Sequence, residues 1–218
     1  MYFSSRVQAG RMLSAKLADK YRYENCAIIA IDDGGVIVGS QIAMTLHCVM
    51  TFINSASIHL PLEPEAVAGI TNDGVLAYNP VYSQGELDEI LSENRSFIEQ
   101  EKLRYMHELN QMTGQGGTID KRLLKGQNII VVSEGLKSSF QVELVYEFLK
   151  PVQVQRLIFA VPLASVAAVD RMHILGDEIH CLDVLDDYRD NNHYYDKNDV
   201  PSHEKIVKII ENVILNWQ

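Results

Sequence analysis

The chain is short of several things, and each shortage removes a class of protein. Its three cysteines, Cys26, Cys48 and Cys181, are odd in number, far apart and set among apolar residues. They read as buried free thiols of a reducing compartment, not as a disulfide framework or a metal site. Positive charge is in deficit, with 19 Lys and Arg against 29 Asp and Glu and a formal net charge of −10. Nonspecific nucleic-acid binders and anionic-membrane binders need a positive field, so neither partner is expected. No apolar run approaches membrane-spanning length, and the opening MYFSSRVQAGRM lacks the apolar region of a signal peptide. The expected location is the cytoplasm. Histidines 107, 173, 180, 193 and 203 are scattered without the spacing of metal ligands, so no metal site is expected from them. Internal repeats and low-complexity segments are missing too.

What is present suits one folded domain. The 218 residues are 47% hydrophobic and 22% charged, enough to bury a core without staples. Ser4 is positioned to cap a first helix reaching about Tyr21, with Val7, Gly10, Leu13 and Leu17 on one face. Ala27–Ile31 is an apolar run that reads as a buried strand, and after Asp32-Asp33-Gly34-Gly35 the segment Val36–Leu46 reads as helix. Strands are predicted at Cys48–Ile53 and Ile58–Leu60. A hairpin is predicted where Asp73-Gly74 separates Glu65–Ile70 from Val75–Tyr78. From Ser83 to about Asn110 the chain is charged and helix-prone, and Gly114–Gly117 breaks it. Three further strands follow at Asn128–Val132, Arg156–Val161 and Glu178–Leu182, with helices between them, Ala164–Ile174 being the second. Tyr188–Pro201 is polar and aromatic. Ser202 then opens a helix whose Ile206, Ile210, Val213, Ile214 and Trp217 share a face that docks on the domain or across a dimer.

The richest stretch is Asn128–Leu149, NIIVVSEGLKSSFQVELVYEFL. A buried strand, a small polar turn and a helix N-terminus together make an anion site, because unpaired backbone N–H groups and the helix dipole converge there. LKGQNIIVVSEG resembles the strand and ribose-phosphate loop of type I phosphoribosyltransferases, L-x-G-x-x-V-I-L-V-D-D-G. Further pieces occur in that family's order. Phe3, Arg6, Ala9-Gly10, Leu13 and Leu17 resemble the opening helix of its short bacterial members, and IAIDDGGVIVGSQIA resembles the pyrophosphate loop. Tyr78-Asn79 comes where a mobile catalytic loop begins, and IFAVPLAS resembles the next strand.

The resemblance implies a ligand and assigns residues to it. The family joins phosphoribosyl diphosphate to a nitrogenous base with Mg²⁺, releasing pyrophosphate. It holds the ribose with two acids and the 5′-phosphate with a Thr-Gly turn. Here the implied set is Asp33, Gly34 and Gly35 for pyrophosphate, Ser133 and catalytic Glu134 for ribose, and Gly135, Leu136, Lys137, Ser138 and Ser139 for phosphate. Several letters differ. Ser133 replaces the first acid, Lys137 falls where purine-specific relatives carry a carboxylate, Ser139 replaces the turn glycine, and Gln141 replaces the last Thr. Losing a bidentate acid-to-diol contact costs roughly 1.5–3 kcal/mol, a ten- to hundredfold loss in binding. Without the resemblance, Ser133–Gln141 reads as a plain helix cap. Asp32 and Asp33, where relatives often place Pro-Arg, would repel a pyrophosphate unless a divalent metal intervened, and otherwise read as exposed turn residues. Lys102, Arg104, Lys121 and Arg122 are positioned to cover a departing pyrophosphate, or equally to solvate a surface helix. Tyr194-Tyr195 is expected to pack and not to stack on a base.

The expected fold is α/β, a parallel β-sheet of about five strands flanked by helices, with ligands at the carboxyl ends of the strands. One domain covers residues 1–218, with a flexible or helical excursion at 79–118 and a C-terminal hood and helix at 183–218. A homodimer and a phosphorylated ribose or nucleotide ligand are the expected partners. Three functions compete: an active phosphoribosyltransferase, a nucleotide- or phosphate-binding regulator with impaired catalysis, and a silent oligomeric subunit.

Overall fold

The computed structural model describes residues 1–61, 63, 65–113 and 121–215. The glycine break at Gly114–Gly117 and Trp217 lie outside the described residues. The strands are β1 Cys26–Ala30, β2 Val49–Phe52, β3 Ser55–His59, β4 Ala66–Thr71, β5 Leu76–Tyr78, β6 Asn128–Val132, β7 Arg156–Ser165 and β8 Glu178–Leu185. The helices are α1 Arg6–Tyr21, α2 Asp33–Leu46, α3 Gln84–Glu93, α4 Arg95–Thr113, α5 Ser139–Leu149, α6 Val166–Leu175 and α7 His203–Leu215.

Five strands form a wholly parallel sheet in the order β2-β1-β6-β7-β8. Its inner strands are apolar at nearly every position because helices cover both faces. Alternate residues divide cleanly: Ile28, Ala30, Ile130, Val132, Ile158 and Ala160 face one core layer, with Leu13, Leu17, Val38 and Ile42 of α1 and α2. Ala27, Ile29, Ile129, Val131, Phe159 and Val161 face the other, with Val142, Val145 and Phe148 of α5 and Met172 of α6. Ile206 and Val213 of α7 join the first layer, so that helix docks on its own domain. No described helix is long and apolar enough to cross a membrane.

The remaining strands do not extend this sheet. β3, β4 and β5 form a separate antiparallel sheet, with the predicted Asp73-Gly74 turn joining its last two strands. It packs on the start of α5 through Ala66, Ala77, Phe140 and Leu144. The charged stretch after Ser83 forms two helices, the first opened by a capping box between Ser83 and Glu86.

Several boundaries move for local reasons. Ser5, not Ser4, caps α1 by accepting from the Gln8 N–H, which turns Arg6 into the core where Val7 was expected. Helix α2 starts at Asp33 because the Asp32 side chain caps it. Strand β7 runs on to Ser165, which then caps α6, and β8 runs on to Leu185. Cys26 and Cys48 are buried as expected, whereas Cys181 is only half-buried.

Candidate functional site

Strand order places the site. The chain leaves β1 toward β2 on one side and returns at β6 on the other, so β1 and β6 form the topological switch point of the sheet. In open α/β sheets the crevice beyond the carboxyl ends of such strands is where ligands bind. Asp32 follows β1 and Ser133 follows β6. The two meet there and fill the crevice themselves.

Asp32 is the clamp. Its Oδ1 accepts from the N–H of Gly35 at 2.6 Å and of Glu134 at 3.1 Å, and its Oδ2 accepts from the Ser133 hydroxyl. Burial, with the charge of Glu134 second, pushes the Asp32 carboxyl up to about 7. The expectation of two exposed turn carboxylates therefore holds for Asp33 alone, while Asp32 ties the start of α2 to the β6–α5 turn. That tie uses the Gly35 N–H, one of the donors assigned to pyrophosphate. A Cβ on Gly34 would overlap the Glu134 carboxylate and lie 2.7 Å from Arg6 Nε. Gly34 and Gly35 are buried under the loop they were expected to face.

Glu134 is equally committed. Its Oε2 accepts from Arg6 Nε, its Oε1 accepts from the Asn191 amide at 2.9 Å, and its carbonyl accepts from the Tyr195 hydroxyl at 2.6 Å. Arg6 has no exposed surface. It reaches Asp199 at 2.9 Å and Asn192 at 2.7 Å through its other nitrogens, and its guanidinium lies 4.5 Å from the centroid of the Tyr195 ring. Burial works against the Arg6 charge, but Glu134 and Asp199 outweigh it and hold the guanidinium above its ordinary range. A buried ion pair of this kind survives because hydrogen bonds complete both partners. Tyr194 and Tyr195 pack, as expected, around Phe3. Burial raises the Tyr188 and Tyr195 phenols, so both hydroxyls stay protonated and donate.

The open volume lies beside this network. A cleft of about 580 Å³ opens between three walls. The antiparallel sheet contributes Ser57, His59, Glu65 and Asn79, the β6–α5 turn contributes Gly135, Lys137, Ser138 and Gln141, and the hood contributes Arg189, Asp190 and Asn191. Ser138 precedes α5 in extended backbone but makes no side-chain cap hydrogen bond. The first-turn N–H groups of α5, at Ser139, Phe140 and Gln141, lack intrahelical acceptors by helix geometry.

Of the residues assigned by resemblance, only Gly135, Lys137 and Ser138 line the cleft. Leu136 is wholly buried and pairs with β7, its N–H donating to the Leu163 carbonyl at 2.9 Å. Ser133 and Glu134 are buried in the network, and Ser139 is the first residue of α5. Two of the four cations considered for a departing pyrophosphate have protein partners: Lys121 pairs with Asp73 at 2.6 Å and lies over Phe148, and Arg104 pairs with Glu101 within α4. Lys102 also lies on α4. Sequence reasoning missed Arg189, Asn191 and His59, which have no local pattern. It saw Arg6 only as a letter of a helix motif. Its one missed signal was a cation on the apolar face of α1, which demands a buried counter-ion.

Comparison with known proteins agrees with the fold. Two Mycobacterium tuberculosis proteins provisionally named as phosphoribosyl transferases, from strains H37Rv and CDC 1551, are each 24% identical over 182 residues, 83% of this chain. The chain spans about 40% of the length of these curated relatives. The crystal structure of TT1426 from Thermus thermophilus superposes with a TM-score of 0.72 at 23% identity, covering 100% of this chain and 99% of that one. A hypoxanthine phosphoribosyltransferase from Staphylococcus aureus superposes with a TM-score of 0.50 at 12% identity, covering 86% of this chain and 77% of that one. At these identities both likenesses concern the fold. The family model described as the phosphoribosyl transferase domain matches residues 4–194, which hold both sheets and every helix but α7. The chain belongs to the phosphoribosyl transferase domain family.

Proposed function

We propose that this chain binds the phosphate of a phosphorylated ribose or nucleotide at the start of α5 and transfers phosphoribosyl groups poorly or not at all. The observation that carries this reading is the division of labour in the β6–α5 turn. Ser138, which makes no side-chain cap hydrogen bond, lines the cleft with Gln141 of the first turn of α5, whereas Glu134 is tied to Arg6 and Asn191. Phosphate needs only donors and a positive helix end. Ribose transfer needs an acid free to hold the diol, and here that acid has protein partners. The family's usual activity is the second reading. It is favoured by Glu134, which keeps the second acidic place of the loop.

The family implies Mg²⁺, and the donor set does not fit a resident ion. Among the described residues no group of three or more His, Cys, Asp and Glu side chains is placed to hold a metal. The two acids nearest the turn, Asp32 and Glu134, direct their oxygens to protein donors.

Calorimetric titration of ribose 5-phosphate and adenosine monophosphate, alongside a pyrophosphate-release assay with phosphoribosyl diphosphate and the common bases, tests the reading. Binding without release is the expected result. Release that depends on one base would establish the active enzyme instead, and no binding of either phosphate ester would leave a silent subunit.

A further inference from the structure

Two of the three cysteines, far apart in the sequence, come side by side at the amino end of the parallel sheet, opposite the cleft. We propose that Cys26 and Cys48 are an oxidative modification site: a peroxide closes them into a disulfide that staples β1 to β2 around α2, and a reducing thiol reopens it. This is independent of the phosphate reading above.

Register brings the pair together. Ala27 stands beside Val49 and Ile28 beside Met50, so one step toward the amino ends Cys26 stands beside Cys48. Neighbouring strands lie about 4.8 Å apart, within the roughly 4.4–6.8 Å between Cα atoms that a disulfide spans. Alternation then sets the face. Cys26 shares a core layer with Ile28 and Ala30, and Cys48 shares the same layer with Met50, so both thiols lie on the side of α1 and α2. Cys181 lies on β8, two strands away from β1, and packs against the other layer.

The bond needs Cβ atoms about 3.5–4.5 Å apart, slightly closer than the strand spacing. Cys48 is placed to make that adjustment. It precedes β2, the edge strand of the sheet, and follows His47, whose left-handed backbone (φ 54°) ends α2. The movement therefore falls on a turn and leaves the ladder from Ala27 and Val49 onward intact. The closed loop would hold all of α2 and the Asp32 clamp.

The two thiols are unequal. Burial, with the Glu24 charge second, pushes Cys26 up to about 11, and the Asn128 amide, its register neighbour on β6, works against that rise. Burial, with Cys26 second, pushes Cys48 up to about 12. Cys26 is therefore the first nucleophile. Its sulfur attacks the peroxide ROOH, the O–O bond breaks, and ROH leaves a sulfenic acid behind. The Cys48 sulfur then attacks that sulfur, the S–O bond breaks, and water departs as the S–S bond forms. Two electrons pass to the peroxide, and the two thiol protons end in ROH and water. Because the thiolate is the reacting form, burial makes closure slow, on the order of hours.

The test treats the folded full-length chain, as wild type and as Cys181→Ser, with excess hydrogen peroxide. Free thiols are then alkylated in denaturant, and the chain is cleaved before Asp32 and Asp33, which separates the two cysteines. The expected product is a pair of fragments joined through Cys26 and Cys48, released by dithiothreitol. Closure should raise the urea midpoint by roughly 1–2 M, since the cross-link constrains the unfolded chain. In Cys48→Ser, Cys26 should stop at its oxyacids with no joined fragments. Alkylation of both cysteines after prolonged treatment would overturn the proposal, as would separate oxidation of each to a sulfinic acid. A bond that forms only in urea would overturn it too, because the folded register would then play no part. A midpoint lowered by closure would overturn the staple.

Discussion

Replacing Arg6 by Met would test the network that closes the switch point. Met refills much of the space of the aliphatic stem but donates nothing. The change removes the ion pairs to Glu134 and Asp199 and the bonds to Asn192 and the Lys197 carbonyl. Glu134, 9% exposed, would keep one side-chain donor, Asn191, and lose its counter-ion. Asp199, with 31% of its side chain exposed, would recover water and suffer less. Breaking one partner of a buried pair costs about 3–5 kcal/mol, most of it the desolvation of the charge left behind. With a urea m-value of about 2 kcal/mol per molar for a domain of this size, the unfolding midpoint should fall by roughly 1.5–2.5 M. Adding Glu134→Gln to Arg6→Met removes the stranded charge, so the double variant should be more stable than Arg6→Met alone. Amide exchange should accelerate in residues 187–199, the segment that Arg6 ties down, more than in β1 or β6. A midpoint shift below about 0.5 M, at the same m-value, would refute the reasoning. So would strictly additive costs in the double variant, because residues in one network couple by roughly 0.5–3 kcal/mol.

Two more changes probe the same closure. A Cβ at position 135 would overlap the Tyr188 hydroxyl and lie 3.0 Å from Asn191 Oδ1. Gly135→Ala should cost about 1–3 kcal/mol of stability as an overpacking change, and Tyr188→Phe, by removing that oxygen, should restore part of the loss in a double-variant unfolding experiment. If Tyr188→Phe gives no rescue, the hood does not press on the turn at this point. Asp32 carries the pH prediction. Its folded carboxyl sits at about 7, whereas an unfolded Asp titrates near 3.9. Between those values the native state holds a proton that the unfolded chain releases. Stability should fall as pH rises through that window and level off above it. Asp32→Asn mimics the protonated form, so its advantage over the wild type in urea midpoint should grow from about pH 4 to about pH 7 and then hold steady. An advantage independent of pH would show that Asp32 titrates normally.

The sequence by itself determined the main sheet and the family. Runs such as CAIIA and NIIVV are apolar at nearly every position because both faces of each strand are covered, and that local pattern survives without any knowledge of neighbours. The Asp73-Gly74 turn, the apolar stripe of α7 and the strand-turn-helix around Ser133–Ser139 were legible for the same reason, since each rests on residues close in the chain. The division of the strands into two sheets was not, because β3–β5 show the same short runs whether they extend the parallel sheet or pair among themselves.

Tertiary structure alone decided what the family-like letters of the site are attached to. Glu134 reads as a ribose ligand from its neighbours in sequence, yet its partners are Arg6, 128 positions earlier, and Asn191, 57 positions later. Asp32 reads as a turn residue, yet its oxygens hold Ser133 and Glu134 about a hundred positions away. Such pairings leave no periodicity in the chain. Their energy comes from the low-dielectric crevice that exists only once β1 and β6 lie side by side. The strand and helix patterns therefore announced an anion site, and packing then set which of its groups face the cleft: Lys137, Ser138 and Arg189 line it beside Glu65 and Asp190, while Asp32 and Glu134 turn inward.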